Sequence, residues 1–158
     1  MLKVLYKVIA IIIISALAFV GCTDKIQSTN IEVNPLKQAI AANKGKVIYL
    51  DFWASWCGPC RQSFPWLNDI QGKYKNLKII SINLDNDKNL ANEFLAETPA
   101  NFTVIYDPKG KLAKQYKIKG MPSSYLFNKA SKLVSSHAGF SISKQDKYEQ
   151  EIKLLLAE

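Results

Sequence analysis

The sequence predicts an α/β domain: a central mixed β-sheet flanked by helices. Three observations carry that prediction. Val47 to Trp53 is a short apolar run of strand length, which reads as a strand buried on both faces in the middle of a sheet. Strand and helix patterns then alternate as far as Tyr116. The C-terminal third closes with a strand pair and a last amphipathic helix, so strand directions are mixed.

The elements follow in order. Pro35 to Asn43 suits a short helix with Leu36, Ile40 and Ala39 turned inward. After the strand 47–53, a helix is expected from Cys57 or Pro59 to about Tyr74, with Pro59 tolerated at its start and Pro65 expected to kink it. Leu77 to Leu84 reads as a second strand, and Asn89 to Ala96 as a helix with Leu90, Phe94 and Leu95 on its inner side. Phe102 to Tyr106 is a third strand, and Asp107-Pro108-Lys109-Gly110 a turn before a short helix around Leu112 to Tyr116. Ser124 to Phe127 and Leu133 to His137 pair through the polar stretch 128–131. Ser143 with Asp146 three residues on suggests an N-cap for the final helix, which would bury Tyr148, Ile152, Leu155 and Leu156.

Length and composition bound the function. The chain has 158 residues, 48% hydrophobic and 22% charged, which is ordinary globular composition and enough for one domain once a leader is set aside. The net charge of +8 is carried by lysines spread along the chain, and Arg61 is the only arginine. Lysines without interleaved aromatics or arginine forks argue against a nucleic-acid surface. They fit a solvated face that tolerates an anionic membrane or steers acidic partners.

The N-terminus reads as a secretion signal of residues 1–21. Lys3 and Lys7 precede an apolar run, Val8 to Val20, that is shorter than the ~20 residues of a spanning helix. Gly21-Cys22 followed by Thr23-Asp24-Lys25 resembles a bacterial lipobox, although Phe19 stands where Leu is usual. The resemblance implies cleavage before Cys22 and lipid attachment to it, with residues 22–33 as a tether and 34–158 as the folded domain. The alternative is an uncleaved signal anchor in which Cys22 is a small buried hydrophobe. Either arrangement holds the domain at a membrane on its extracytoplasmic side.

Trp56-Cys57-Gly58-Pro59-Cys60 follows the buried strand and opens the helix. Two cysteines at this spacing suit redox chemistry, half a zinc site, or a structural disulfide. Zinc lacks partners, since the domain adds only His137 to the two thiols. A structural disulfide would close too small a loop to stabilise much. A helix N-terminus favours the thiolate of Cys57, which makes it the candidate nucleophile, with Cys60 one turn deeper to resolve the mixed disulfide. Gly58 is read as allowing close backbone approach and Pro59 as fixing the first turn. Asp51 is a charge within an apolar run, costly unless paired or used; the alternative is a strand-end carboxylate that reaches solvent. Phe52 and Trp53 read as core, Trp66 as a helix-face aromatic, and His137 as a strand residue with no catalytic part.

The stretch Asp51 to Cys60, with Pro65 and with Met121-Pro122 ahead of a strand, resembles the active-site signature of the thioredoxin superfamily. The resemblance implies a thioredoxin fold, with Asp51 beneath Cys60 as a proton shuttle and Pro122 cis beside the disulfide. It further implies that Met121 pairs with an extended client and that Trp56 lies on the client-facing rim with Gly58 and Pro59. No metal and no cofactor are expected. An extra helix and strand between the second strand and Pro122, together with the tether, resemble the TlpA/ResA branch. That branch reduces disulfides outside the cytoplasm, including those of apocytochromes c, and is recharged by a membrane thiol electron donor. In that branch an acidic residue of the loop after the second strand sits near the site in some members; here the loop holds Asp85 and Asp87 with neither singled out. A net oxidase or isomerase, and a tethered adaptor without turnover, are the competing readings.

Overall fold

The computed structural model describes residues 34–158. Helix α1 (Pro35–Ala42) is capped by Asn34, whose side chain accepts a hydrogen bond from the Lys37 amide at 3.1 Å. Strand β1 (Val47–Trp53) is buried at every position, in keeping with an apolar run that only Asp51 interrupts. Then come α2 (Gly58–Lys73), β2 (Leu77–Asn83), α3 (Lys88–Glu97), β3 (Thr103–Tyr106), α4 (Lys111–Gln115), β4 (Ser123–Phe127), β5 (Leu133–Ala138) and α5 (Ile142–Ala157).

The sheet order is β3-β2-β1-β4-β5, with β1 at the centre. β1, β2 and β3 run parallel, while β4 is antiparallel to β1 and β5 to β4. Period-two alternation along β1 divides two cores. Val47, Tyr49 and Trp53 join Cys60, Phe64, Trp66, Leu67 and Ile70 of α2 and Tyr148 and Ile152 of α5. Ile48, Leu50 and Phe52 join Leu36 of α1, Leu112 of α4, and Ile80, Ile82 and Ile105 on the other face. Asp51 shares the parity of Tyr49 and Trp53 and so belongs to the α2 side.

The inserted α3 and the approach to β3 are held by aromatic contacts. Phe64 meets Trp53, Phe94 and Phe102 at centroid distances of 4.6, 4.8 and 5.4 Å. The outer side of α3 differs from expectation: Phe94 and Ala91 are buried, but Leu90 is 46% exposed. The final helix also starts earlier than its sequence suggests. Ser141 is the N-cap residue, without a side-chain cap bond, and Ser143 lies inside the first turn with its hydroxyl 3.0 Å from that of Ser141. α2 runs through Pro65 as one helix.

The candidate leader 1–21, the tether 22–33 and the lipid-bearing Cys22 lie outside the described residues. Among the described residues no helix is long and apolar enough to cross a membrane.

Candidate active site

Cys57 is the N-cap of α2 and forms a disulfide with Cys60 one turn on. The Cys60 amide donates to the Cys57 sulfur at 3.3 Å, a backbone donor left free at a helix start. Cys57 is 6% exposed and Cys60 0%, so only the first sulfur lies within reach of solvent. Pro59 occupies the first turn, where its missing N–H costs nothing. A side chain at Gly58 would meet nothing within 4 Å among the described residues, so the space beside it is open.

Asp51 lies in the middle of β1, 2% exposed, opposite Ser81 of β2 and Ser124 of β4. It is no strand-end carboxylate. Its Oδ2 has no hydrogen-bond partner, and burial pushes its carboxyl well above the usual range. On the same face runs a polar chain that the sequence reading missed. The Tyr49 hydroxyl donates to Ser124 Oγ at 2.8 Å, Ser124 Oγ lies 3.3 Å from His137 Nδ1, and His137 Nε2 lies 2.8 Å from Glu151 Oε2. Tyr148 stacks on the imidazole at 4.0 Å. The serine, histidine and carboxylate lie along β4, β5 and α5, a separation in sequence that hides them from motif reading.

Of the two acids that the sequence leaves open in the loop after β2, Asp85 is the one that turns inward. It is 1% exposed, and its two carboxylate oxygens accept from the Ser55 amide and hydroxyl, both at 3.0 Å. The Asn83 side-chain amide donates to it at 2.7 Å, and the Asp85 amide donates to Asn83 Oδ1 at 3.2 Å. The turn leading into Cys57 is thus fastened to the end of β2. Asp87, the other acid of that loop, caps α3 through the Asn89 amide at 2.9 Å. The sole signal in sequence was an Asp-Asn-Asp run after a strand, which does not say which acid turns inward. Arg61 adds a bond to the Ser55 carbonyl at 3.3 Å and lies over the Phe94 ring at 4.7 Å.

An open groove of about 610 Å³ lies beside Cys57. It is lined by Trp56, Cys57, Gly58 and Pro59 together with Leu84, Ala113 and the segment Ile118 to Met121. Trp56 is 69% exposed. The Met121–Pro122 peptide is cis, Pro122 is buried, and its carbonyl accepts from the Gly139 amide at 2.8 Å. The structure therefore brings Cys57, Trp56, Gly58, Pro59 and Met121 to one groove, whereas the buried Asp51, Cys60 and Pro122 are not among its lining residues.

A five-stranded mixed sheet whose central strand feeds a disulfide-capped helix, beside a cis-proline loop, defines a protein of thioredoxin-like fold. The chain belongs to the redoxin family, which it matches over residues 22–152. It is similar to the thiol-disulfide oxidoreductase ResA of Oceanobacillus iheyensis, 32% identical over 96 residues covering 60% of this chain and 50% of the relative. It thus spans about half the length of that relative. Two solved structures share the fold. One, from Chlorobium tepidum, is provisionally assigned as a thiol:disulfide interchange protein DsbE; it is 47% identical with a TM-score of 0.72, covering 74% of this chain and 84% of that one. The other is the exposed lipoprotein thioredoxin of Streptococcus pneumoniae, 29% identical with a TM-score of 0.65, covering 73% and 90%.

Proposed function

We propose that this protein is a thiol–disulfide oxidoreductase that reduces protein disulfides through a Cys57/Cys60 dithiol. The observation that carries this reading is the disulfide itself: one sulfur at a groove and helix N-terminus, its partner sealed one turn below. In the reduced state the Cys57 thiolate attacks one sulfur of a client disulfide. A mixed disulfide forms and the client's other sulfur leaves as a thiolate. Cys60, deprotonated, then attacks Cys57; the client's second sulfur is released and the Cys57–Cys60 bond forms. The client gains two electrons and the protein loses two, so a thiol donor must restore the dithiol.

Asp51 is proposed to accept the Cys60 proton. Its support is its position within β1 at the parity of Tyr49 and Trp53, and the burial that raises its carboxyl, which makes its carboxylate a stronger proton acceptor than an exposed one. Trp56, Gly58, Pro59, Met121 and Pro122 are proposed to receive the client chain, with the Met121 backbone pairing to it. The likeness to ResA and to an exposed lipoprotein thioredoxin supports an extracytoplasmic protein anchored through Cys22, with disulfide-bonded clients such as apocytochromes c and a membrane thiol donor.

The reduction potential of the Cys57–Cys60 couple tests the direction of transfer. A value near about −270 mV is expected of a reductant, and one near about −120 mV would make the protein an oxidant. Mass spectrometry of the mature N-terminus tests the anchor: a diacylglyceryl Cys22 is expected, and an intact Met1 overturns it.

A further inference from the structure

The segment Ile118 to Met121, which lines the groove with Cys57, ends an unusually basic stretch of the chain. Lys109, Lys114, Lys117 and Lys119 are exposed, and Lys111 lies among them. Asp107 is the one acid between residues 107 and 121, and it is buried and fully used. Its Oδ1 accepts from the Lys111 amide at 2.8 Å, and its Oδ2 from those of Leu112 and Ala113 at 2.8 and 3.0 Å. The ion pairs found among the described residues join Arg61 to Glu97, Lys73 and Lys153 to Glu149, and His137 to Glu151; none touches Lys109, Lys114, Lys117 or Lys119.

The backbone brings the last of these lysines, Lys119, to the groove. Lys117 takes a left-handed conformation with φ of 54°, where glycine or asparagine is usual, and its amide donates to the Lys114 carbonyl at 3.1 Å. The Ile118 amide donates to the Ala113 carbonyl at 2.9 Å. This closure ends α4 and sends Ile118, Lys119, Gly120 and Met121 along the groove. Trp56, Leu84, Ile118 and Met121 give the lining apolar surface, and Lys119 gives it a cation. A smaller hollow of about 200 Å³, also lined by Trp56, contains Glu93 and Glu97 beside Arg61.

We infer that the groove selects clients whose cystine is flanked by Asp or Glu, held as an extended segment with its acidic side chains toward Lys119, which lines the groove, and drawn there by the exposed Lys114 and Lys117 of the stretch that leads to it. The inference rests on the oxidoreductase reading and adds the substrate class. Charges at the rim of a site act mainly on encounter and on discrimination between partners, and salt screens them.

The test uses the full chain, reduced, with two peptides that share one cystine loop but carry either Asp and Glu or Lys and Arg beside it. 2-Hydroxyethyl disulfide serves as an uncharged reference. In a single turnover the acidic peptide is expected to oxidise the Cys57/Cys60 dithiol with an about tenfold higher second-order rate constant at low ionic strength, the ratio falling toward one in 0.5 M salt. In the double variant Lys114→Glu and Lys117→Asn the ratio at low salt is expected to fall to about one or below; Asn is chosen because it tolerates the left-handed backbone. Equal rates on the two peptides, a basic preference, or a ratio indifferent to salt and to the double variant overturns the inference while exchange with 2-hydroxyethyl disulfide persists. Absence of exchange with that small disulfide instead sinks the oxidoreductase reading, and the client preference with it.

Discussion

Two carboxylates behave in opposite ways because of what surrounds them. Asp51 is buried with an unpartnered oxygen, so the fold favours its neutral form. Its raised value means that it costs the fold nothing below the ordinary carboxyl range and destabilises progressively as pH rises toward and through the folded value. Asp51→Asn is therefore expected to flatten the loss of stability from about pH 4 upward, measured by urea unfolding across pH. The same change is expected to slow resolution of a mixed disulfide by about a hundredfold, read by stopped-flow; unchanged rates would remove Asp51 from the chemistry. Asp85, in contrast, is satisfied by Ser55 and Asn83. Asp85→Ala strands those donors and is expected to cost about 2–3 kcal/mol in chemical denaturation. Sequence made Asp51 visible, since an acid inside an apolar strand stands out. It hid Asp85, whose partners are 2 and 30 residues away in sequence.

At the scale of elements, α2 and α5 are clamped where they leave the sheet. Glu149 accepts from Lys73 at 2.8 Å and from the Tyr74 hydroxyl, and Lys153 lies 3.5 Å away. The hydrogen bond from Lys73, then that from Tyr74, pulls the Glu149 carboxyl down to about 2. A lowered carboxyl contributes stability above its ordinary range and loses it as pH falls through the folded value. Glu149→Gln is expected to abolish the part of acid destabilisation that lies between about pH 4.5 and 2, seen as a shallower acid limb in a thermal melt series. The strands were legible because apolar runs and turn residues bound them. The start of α5 was not, because Ser141 and Ser143 are both plausible caps and neither makes a cap bond to the backbone. The place of Leu90 was misread for a related reason: a 3.6-residue period marks a stripe but not where the neighbouring surface ends.

For the whole molecule, the aromatic cluster around Phe64 joins α2, β1, α3 and the approach to β3 into one body. Phe64→Ala is expected to cost about 3–5 kcal/mol in unfolding free energy. The inserted helix loses its anchor first, so amides of 88–97 should exchange faster than those of β1 in native-state hydrogen exchange. The thioredoxin-like architecture was legible from one motif and the order of elements. The chain Tyr49–Ser124–His137–Glu151 was not, since sheet register decides which side chains meet, and register emerges only when β4 pairs with both β1 and β5.

The unequal burial of the two sulfurs bears on oxidative damage. In the disulfide form Cys60 is fully enclosed and Cys57 is not, so in the reduced protein a peroxide is expected to oxidise Cys57 first. The sulfenic acid formed there has a thiol one helical turn away, and condensation with it yields the disulfide and water before further oxidation to sulfinic acid. The depth of Cys60 thus confines damage to the one sulfur whose first oxidation step is reversible by the protein's own chemistry.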